Sequence, residues 1–305
     1  MKTVLISGGT GLIGKHLCKS LKDKGYAVAL LSRSSHQDSA MPTYSWDIES
    51  HETEKGAIEK ADYIIHLAGA NIGSERWSKK RRQILIDSRV KTGQLIFEKI
   101  KENKNNLQAF ISASAIGYYG TITNDKIFTE TDPPSNDFLG EVCRQWEQSA
   151  DHFKTLGIRT VKIRTGVVLT KQGGVLARMI TPVKLGVNPS IGSGRQFMPW
   201  IHIDDLCDIY IKAIEDTEMN GAYNAVSPGH TTNRIFSKTL ARVLHKSFWF
   251  PGVPAFLMKL IFGKMSAILI HGSRVSSEKM MKAGYRFMFT DPESALTDLL
   301  IKNNK

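Results

Sequence analysis

The 305-residue sequence has only three cysteines, Cys18, Cys143 and Cys207, and no C-x-x-C pair. Cysteines this far apart exclude a disulfide framework and a zinc site built on cysteine pairs. We therefore expect reduced thiols and a cytoplasmic location.

The sequence also lacks an apolar run long enough to cross a bilayer. The N-terminal run at residues 4–6 is too short for a signal peptide. The most hydrophobic stretch, from Val253 to Ile270, is interrupted by Lys259, Gly263 and Lys264. An amphipathic packing helix is favoured there, with attachment to a membrane surface as the alternative. We expect no membrane partner.

Acidic residues are in deficit: 29 Asp and Glu stand against 41 Lys and Arg, which gives a formal net charge of +12. The densest basic run, residues 79–82, leads into a helical pattern and has no RNA-type aromatic motif or zinc-finger framework. A solvated basic helix face is favoured over a nucleic-acid site, and we expect no nucleic-acid partner. The excess charge also suits ligands that carry phosphates.

What the chain does contain is an alternation of short apolar runs and helical patterns. The predicted strands cover residues 4–6, 27–31, 63–67, 109–112, 160–164 and 200–203, and the predicted helices cover residues 12–22, 77–101, 138–153 and 204–214. This order predicts an α/β fold with a doubly wound parallel sheet. We expect a first domain over residues 1–220, with an excursion at about 173–199 toward the substrate side, and a smaller, mostly helical C-terminal domain over residues 221–305.

A glycine-rich segment joins the first predicted strand to the first helix. Gly8, Gly11 and Gly14 form a G-x-x-G-x-x-G motif in that position. Glycines allow a tight turn close to a pyrophosphate, and the helix directs free N–H groups and its positive end at the phosphates. The motif therefore predicts a Rossmann-type dinucleotide site. Its expected cofactor-binding residues are Gly8, Thr10, Gly11, Leu12, Ile13 and Gly14.

The end of the second strand distinguishes between the two dinucleotides. NAD sites usually place an acid there to hold the ribose hydroxyls, whereas this chain has Ser32 and Arg33. An arginine favours a 2′-phosphate through charge-assisted hydrogen bonds, which predicts NADP(H). The alternative is a surface arginine just past a strand.

Several segments together resemble the extended short-chain dehydrogenase/reductase superfamily, and more closely the epimerase family proteins within it. They are residues 7–14, 66–69, 112–120, 138–143, 192–196, 199–206, 272–275 and 283–287, the last two resembling that family's own C-terminal domain. The resemblance implies a Rossmann-type sheet, an NADP(H) cofactor and a smaller substrate-side domain.

The resemblance also implies further cofactor contacts. It places Leu67, Ala68 and Gly69 along the cofactor. Arg89 occupies the position at which the wider superfamily usually has an asparagine beside the cofactor. The alternative for Arg89 is one more solvated arginine on a basic helix.

The superfamily's chemistry is hydride transfer at the nicotinamide, assisted by a tyrosine and a lysine four residues later, with a Ser or Thr that holds the substrate hydroxyl. Ser114 matches the Ser/Thr position, but Leu139 and Cys143 stand where the tyrosine and the lysine are expected. Tyr118 and Tyr119 are the candidate catalytic substitutes, and the alternative for both is a packing role.

Other candidates carry weaker arguments. Glu141 could serve as a base if burial raised its pKa. Arg164 and Arg195 could meet anionic substrate groups. His202 lies beside Asp204, but Asp204 is better interpreted as a helix N-cap, so we expect no metal site.

The sequence thus favours an NADP(H)-binding oxidoreductase or isomerase of the epimerase family, acting on a sugar-like or carbonyl small molecule. The alternative is a catalytically inactive NADP(H)-binding regulator or redox sensor. From the resemblance we expect a homodimer through the helices near residues 77–101 and 138–153.

Overall fold

The computed structural model describes residues 1–33, 41–103, 106–187, 190–248 and 252–302. In chain order its strands are β1 (Thr3–Ser7), β2 (Ala27–Ser32), β3 (Thr43–Asp47), β4 (Glu52–Thr53), β5 (Tyr63–His66), β6 (Ala109–Ala115), β7 (Ile127–Phe128), β8 (Arg159–Thr165), β9 (Val167–Leu169), β10 (Trp200–His202), β11 (Gly221–Ala225) and β12 (Arg274–Val275). Its helices are α1 (Leu12–Asp23), α2 (Lys79–Glu102), α3 (Phe138–Asp151), α4 (Gly174–Lys184), α5 (Ile203–Glu215), α6 (Asn233–Val243), α7 (Ala255–Phe262), α8 (Ala267–Ile270), α9 (Glu278–Lys282) and α10 (Pro292–Leu300).

Eight strands form the central sheet in the order β11-β8-β6-β5-β1-β2-β3-β4. The pairings from β11 to β3 are parallel, and β4 runs antiparallel to β3. The chain winds outward from β1 to β3 and then in the opposite direction from β5 to β11. The α/β fold class with a doubly wound sheet is therefore confirmed, and the winding reverses between β1 and β5.

Helices cover both faces of the sheet because successive side chains of a strand point to opposite sides. In β1, Val4 and Ile6 belong to the core that includes Leu17 of α1. Leu5 belongs to the other core, with Leu95 of α2. The N-terminal apolar run is thus buried from both sides, as in a parallel sheet.

The strands end at a common edge. Ser7 pairs with Leu31 of β2 and His66 of β5, and His66 pairs with Ser112 of β6. The carboxyl ends of β1, β2 and β5 are consequently level to within one residue, and β6 continues three residues further, to Ala115. Ligands bind at this carboxyl edge in open parallel sheets.

The C-terminal helices pack onto the same core as the sheet. Phe236 of α6 and Leu296 of α10 are buried in the cluster that also holds Leu17. The Asp205 carboxylate on α5 accepts hydrogen bonds from the Tyr285 hydroxyl at 2.8 Å and the Met288 N–H at 2.8 Å. The tail is therefore fastened to the sheet layer by packing and by a buried carboxylate.

Several details differ from the sequence-based expectation. The sheet includes β11, just beyond the expected boundary at residue 220, and the β10 strand pairs with β9. Within the expected excursion, Leu176 of α4 is buried in the same core as Leu17 of α1. The expected Asp204 cap is wrong: His202 is the N-cap of α5, and its ring accepts from the Asp204 N–H. No helix in the described ranges is long and apolar enough to cross a membrane.

Candidate functional site

The glycine turn lies between β1 and α1, at the point where the winding reverses. Gly8 has φ +77°, a left-handed conformation that favours glycine. A Cβ on Gly8 would lie 2.9 Å from the Ala68 nitrogen, so the turn touches the backbone that follows β5. The expected loop residues Gly8 and Ala68 are thus brought together.

The start of α1 is seated tightly on this turn. A Cβ on Gly14 would lie 2.4 Å from the Gly8 carbonyl oxygen, so this position accepts only glycine without a shift of the backbone. Gly11 is the N-cap of α1, and no side chain caps the helix. The first-turn N–H groups, including those of Leu12 and Ile13, therefore retain the open helix end that binds phosphate. Thr10 is exposed beside them.

The end of β2 lies next to this turn. Leu31 pairs with Ser7, which places Ser32 and Arg33 one and two residues beyond that level. Ser32 is half-buried and Arg33 is exposed. Arg33 is therefore at the carboxyl edge of the sheet, on the β2 side of the glycine turn.

Arg89 on α2 is buried beside the loop that follows β5. Its Nη1 donates to the Leu85 carbonyl at 2.7 Å and its Nη2 to the Ala70 carbonyl at 3.0 Å. A Cβ on Gly69 would lie 3.0 Å from the Arg89 Cζ, so the glycine gives the guanidinium room. The Arg89 Cζ also lies over the Trp146 ring, 4.9 Å from the ring centroid.

Arg89 is a buried cation. Burial lowers its pKa, but the group stays charged at pH 7, and it forms no ion pair in the part of the chain described. A buried cation without a carboxylate partner favours an anion at this edge of the site.

His66 and Ser7 form a buried link beneath the glycine turn that the sequence did not suggest. The Ser7 hydroxyl and the His66 Nδ1 are 2.6 Å apart, and the His66 Nε2 lies 3.2 Å from the Thr92 hydroxyl. Burial lowers the pKa of His66 to about 4, so the ring is neutral at pH 7. It joins β1, β5 and α2 as a hydrogen-bonding strut.

Ser114 lies at the end of β6 and is buried. Its hydroxyl donates to the Glu147 Oε1 at 2.7 Å. The same carboxylate accepts two hydrogen bonds from Arg164, from Nε at 2.7 Å and from Nη2 at 2.9 Å. Arg164, expected to meet a substrate anion, is instead paired within the protein. Glu147 was not a sequence candidate, because nothing local to α3 marks it.

The two candidate tyrosines have different surroundings. Tyr119 is 1% exposed, and its hydroxyl donates to the Asn224 Oδ1 at 2.7 Å while accepting from Arg164. Tyr118 is half-buried, with its ring 3.5 Å from the Arg164 guanidinium carbon. Burial raises the pKa of both phenols, against the opposing effect of Arg164, so both are neutral at pH 7.

The positions expected to carry the tyrosine and lysine are covered. Leu139 and Cys143 are buried under the helical turn at residues 116–119, where a Cβ on Gly117 would lie 3.6 Å from the Cys143 Sγ. Burial, with the charge of Glu147, raises the pKa of the Cys143 thiol to about 12. The thiol is therefore protonated and inert at pH 7.

Glu141 does not fit the role of a neutral-pH base. Hydrogen bonds from Arg144 and Gln145 lower its pKa, and the side chain is at the surface. Arg195 is exposed.

His202 lies between two carboxylates that face opposite ring nitrogens. Asp204 is 3.6 Å from Nδ1 and Asp298 is 3.5 Å from Nε2. One ligand atom from each of these three groups lies within 4.8 Å of the others, but Nδ1 already accepts the Asp204 N–H at 3.2 Å. The arrangement is that of a helix cap held by a buried ring.

Known proteins share this arrangement over nearly the whole chain. A model of the NAD dependent epimerase/dehydratase family matches residues 4–226, and a model of a domain of unknown function, DUF1731, matches residues 253–299. The epimerase family protein YfhF of Bacillus subtilis is 35% identical over 300 residues, which is 97% of each chain.

A solved structure is similar to the same extent. The crystal structure of human epimerase family protein SDR39U1 (isoform 2) with NADPH has a TM-score of 0.88 at 31% identity, over 97% of this chain and 98% of that one. The family resemblance expected from the motifs is confirmed, and the chain belongs to the NAD dependent epimerase/dehydratase family, among the epimerase family proteins of the extended short-chain dehydrogenase/reductase type.

Proposed function

We propose that this chain binds NADP(H) across the glycine turn, with the pyrophosphate at the uncapped start of α1. The contact between Gly8 and the Ala68 backbone carries the proposal, because it brings two expected cofactor segments to the reversal point of the sheet. The similar human protein was solved with NADPH, which supports the same cofactor here.

Two cations support NADP(H) over NAD(H). Arg33 follows β2 directly and is exposed, so its guanidinium can meet a 2′-phosphate. Ser32 adds a hydroxyl beside it. Arg89 contributes its buried charge on the other side of the turn, next to Leu67 and Gly69.

For the chemistry, we propose an oxidoreductase or epimerase that acts on a sugar-like or carbonyl small molecule. The cofactor would supply or take the hydride. Because the Ser114 hydroxyl donates its hydrogen bond to Glu147, its oxygen is left to accept a hydrogen bond from a substrate hydroxyl. Tyr118 is our first candidate for the proton-transferring group, ahead of Tyr119, whose hydroxyl already has two partners.

A second function is favoured by one observation: the positions of the usual tyrosine and lysine, Leu139 and Cys143, are buried and unreactive. A regulator or redox sensor would bind NADP(H) without turnover and would change its affinity for a partner with the cofactor's redox state. Pull-downs that recover the same partners with NADP⁺, with NADPH and without cofactor would argue against this function.

We also propose a cytoplasmic location, a C-terminal substrate-side domain and a homodimer. Three buried free thiols are consistent with a reducing compartment such as the cytoplasm. The helical tail beyond β11 would form the substrate-side domain, and a homodimer through α2 and α3 is testable by light scattering.

The cofactor proposal is tested by titrating the protein with NADPH and NADH and following the fluorescence of its five tryptophans. We expect NADPH to bind more tightly by at least about tenfold and Arg33→Ala to remove that difference. Arg242→Ala, which removes a cation from an exposed pair with Glu293, is the matched control and should leave both affinities unchanged. Equal binding of the two cofactors by the wild type would contradict the NADP(H) preference.

A further inference from the structure

Helix α7 presents bulky apolar side chains to solvent. Apart from Met1, the most exposed large apolar side chains in the described ranges are Leu185 at 77%, Phe256 at 72% and Leu260 at 71%. Phe256 and Leu260 are one turn apart on α7 and share a face. Contiguous exposed apolar groups of this kind mark a surface that contacts something else.

Helix α7, which carries these exposed side chains, is held in place by contacts on its other side. Met258, on the opposite face of α7, is buried. The Arg76 guanidinium donates to the carbonyls of Ile261 at 2.8 Å and Leu260 at 2.9 Å. Before the helix, the Val253 N–H donates to the Ser190 carbonyl, which links α7 to the segment that follows Leu185. The apolar face is therefore a fixed surface.

Positive charge accompanies the apolar face. An open groove of about 460 Å³ beside α7 is lined by Lys259, Lys264 and His271, and no acidic side chain lines it. The sequence from residue 219 to residue 277 has seven Lys and Arg and no Asp or Glu. The surface around α7 is thus apolar and cationic at once.

We propose that α7 docks the protein on an anionic phospholipid surface. Phe256 and Leu260 would enter the headgroup region, while Lys259 and Lys264 would extend their amines to the lipid phosphates. A protein partner is less suitable, because lysine is depleted in protein interfaces. A second copy of the chain is also less suitable, because it would bring the same positive charge. The contact needs no spanning helix.

The test uses the full chain and extruded vesicles in a sedimentation assay at low salt. We expect binding to phosphatidylcholine vesicles that contain about 30% phosphatidylglycerol and little binding to pure phosphatidylcholine. About 0.5 M NaCl should release most of the protein, because it screens exposed charges. Lys259→Gln and Lys264→Gln should each weaken the binding by roughly fivefold.

The apolar contribution is tested by the double variant Phe256→Ser/Leu260→Ser, which should lose at least about tenfold in binding. The control is Leu156→Ser, since Leu156 is 38% exposed in the turn before β8, at the amino edge of the sheet. It should bind as the wild type does. Circular dichroism and thermal melts establish that each variant is folded.

Three results would overturn the proposal. They are no wild-type binding to the anionic vesicles, equal binding to both vesicle types, and unchanged binding of the Phe256→Ser/Leu260→Ser variant. A dimer in size-exclusion chromatography that this variant abolishes, without vesicle binding, would assign the surface to self-association instead. None of these outcomes depends on the cofactor.

Discussion

The Ser114 hydroxyl and the Arg164 guanidinium converge on one oxygen, the Oε1 of Glu147, each at 2.7 Å. All three side chains are buried, and they come from β6, α3 and β8. The serine that the family resemblance assigns to the substrate is therefore fixed in orientation by an internal ion pair. This relationship has a direct consequence for stability.

Glu147→Gln should destabilise the protein by about 3–5 kcal/mol, because it leaves the buried Arg164 charge without its partner. Ser114→Ala removes one hydrogen bond and should cost only about 1 kcal/mol. Urea unfolding measures both. The pair Glu147→Gln/Arg164→Met should be more stable than Glu147→Gln alone, because no charge is then left unpaired. A Glu147→Gln cost no larger than that of Ser114→Ala would contradict the importance of the ion pair.

Gly14→Ala should abolish detectable NADPH binding, because the new Cβ would lie 2.4 Å from the Gly8 carbonyl oxygen and displace the turn. Isothermal titration measures the affinity. Gly25→Ala is the control: Gly25, at the other end of α1, has φ +86°, but no atom lies within 4 Å of the position that its new methyl group would take. It should lose about 1 kcal/mol of stability through backbone strain and keep its NADPH affinity. Normal NADPH binding by Gly14→Ala would place the cofactor elsewhere.

Arg89→Met should weaken NADPH binding by about tenfold or more, since it removes a cation beside the glycine turn. Arg89→Lys keeps the charge and should retain part of the affinity. The titration is repeated at increasing salt concentrations. The difference in NADPH affinity between Arg89→Met and Arg89→Lys should become only slightly smaller, because the side chain is buried and little screened. If Arg89→Met binds NADPH as the wild type does, the arginine is structural.

Because of His66, the free energy of unfolding should decrease as the pH is lowered. Its folded pKa of about 4 lies below the ordinary value of 6.5, so below pH 6.5 the unfolded chain takes up a proton that the folded chain does not. The stabilisation is complete above pH 6.5 and is lost as the pH falls toward 4, by about 3 kcal/mol in all. Urea unfolding at several pH values across this range should show that the free energy of unfolding depends less steeply on pH in His66→Gln than in the wild type. Identical slopes would mean that other groups cause the acid sensitivity.

The sequence predicted the sheet well where apolar runs were dense. The strands β1, β5 and β6 are continuous apolar runs buried on both faces. The turn after β1 is marked by glycines, which allow a tight turn and a close approach of the backbone. It missed β3, with the sequence TYSWD, and β11, with GAYNA, because their mixed composition shows no strand pattern. Their neighbours in the sheet, rather than their own composition, make them strands.

The candidate site divides in the same way. Gly8 and Gly14 are recognisable because their chemistry is local to one turn. Glu147 and Asn224 could not be found this way, since each acquires its role from side chains that are distant in the sequence. The same holds for His66, whose partner Ser7 is 59 residues away. Buried networks of this kind follow from the fold and not from any local spacing.

The Asp205 carboxylate on α5 accepts hydrogen bonds from Tyr285 and Met288, so it ties the C-terminal tail to the sheet layer. A chain cut after β11 would expose a carboxylate shaped for absent donors, together with the apolar side of α5. We therefore expect the Rossmann-type sheet and the DUF1731 segment to unfold together, in one thermal transition. We likewise expect a chimaera that joins either half to that of a distant relative to be destabilised unless the contacts of Asp205 are restored.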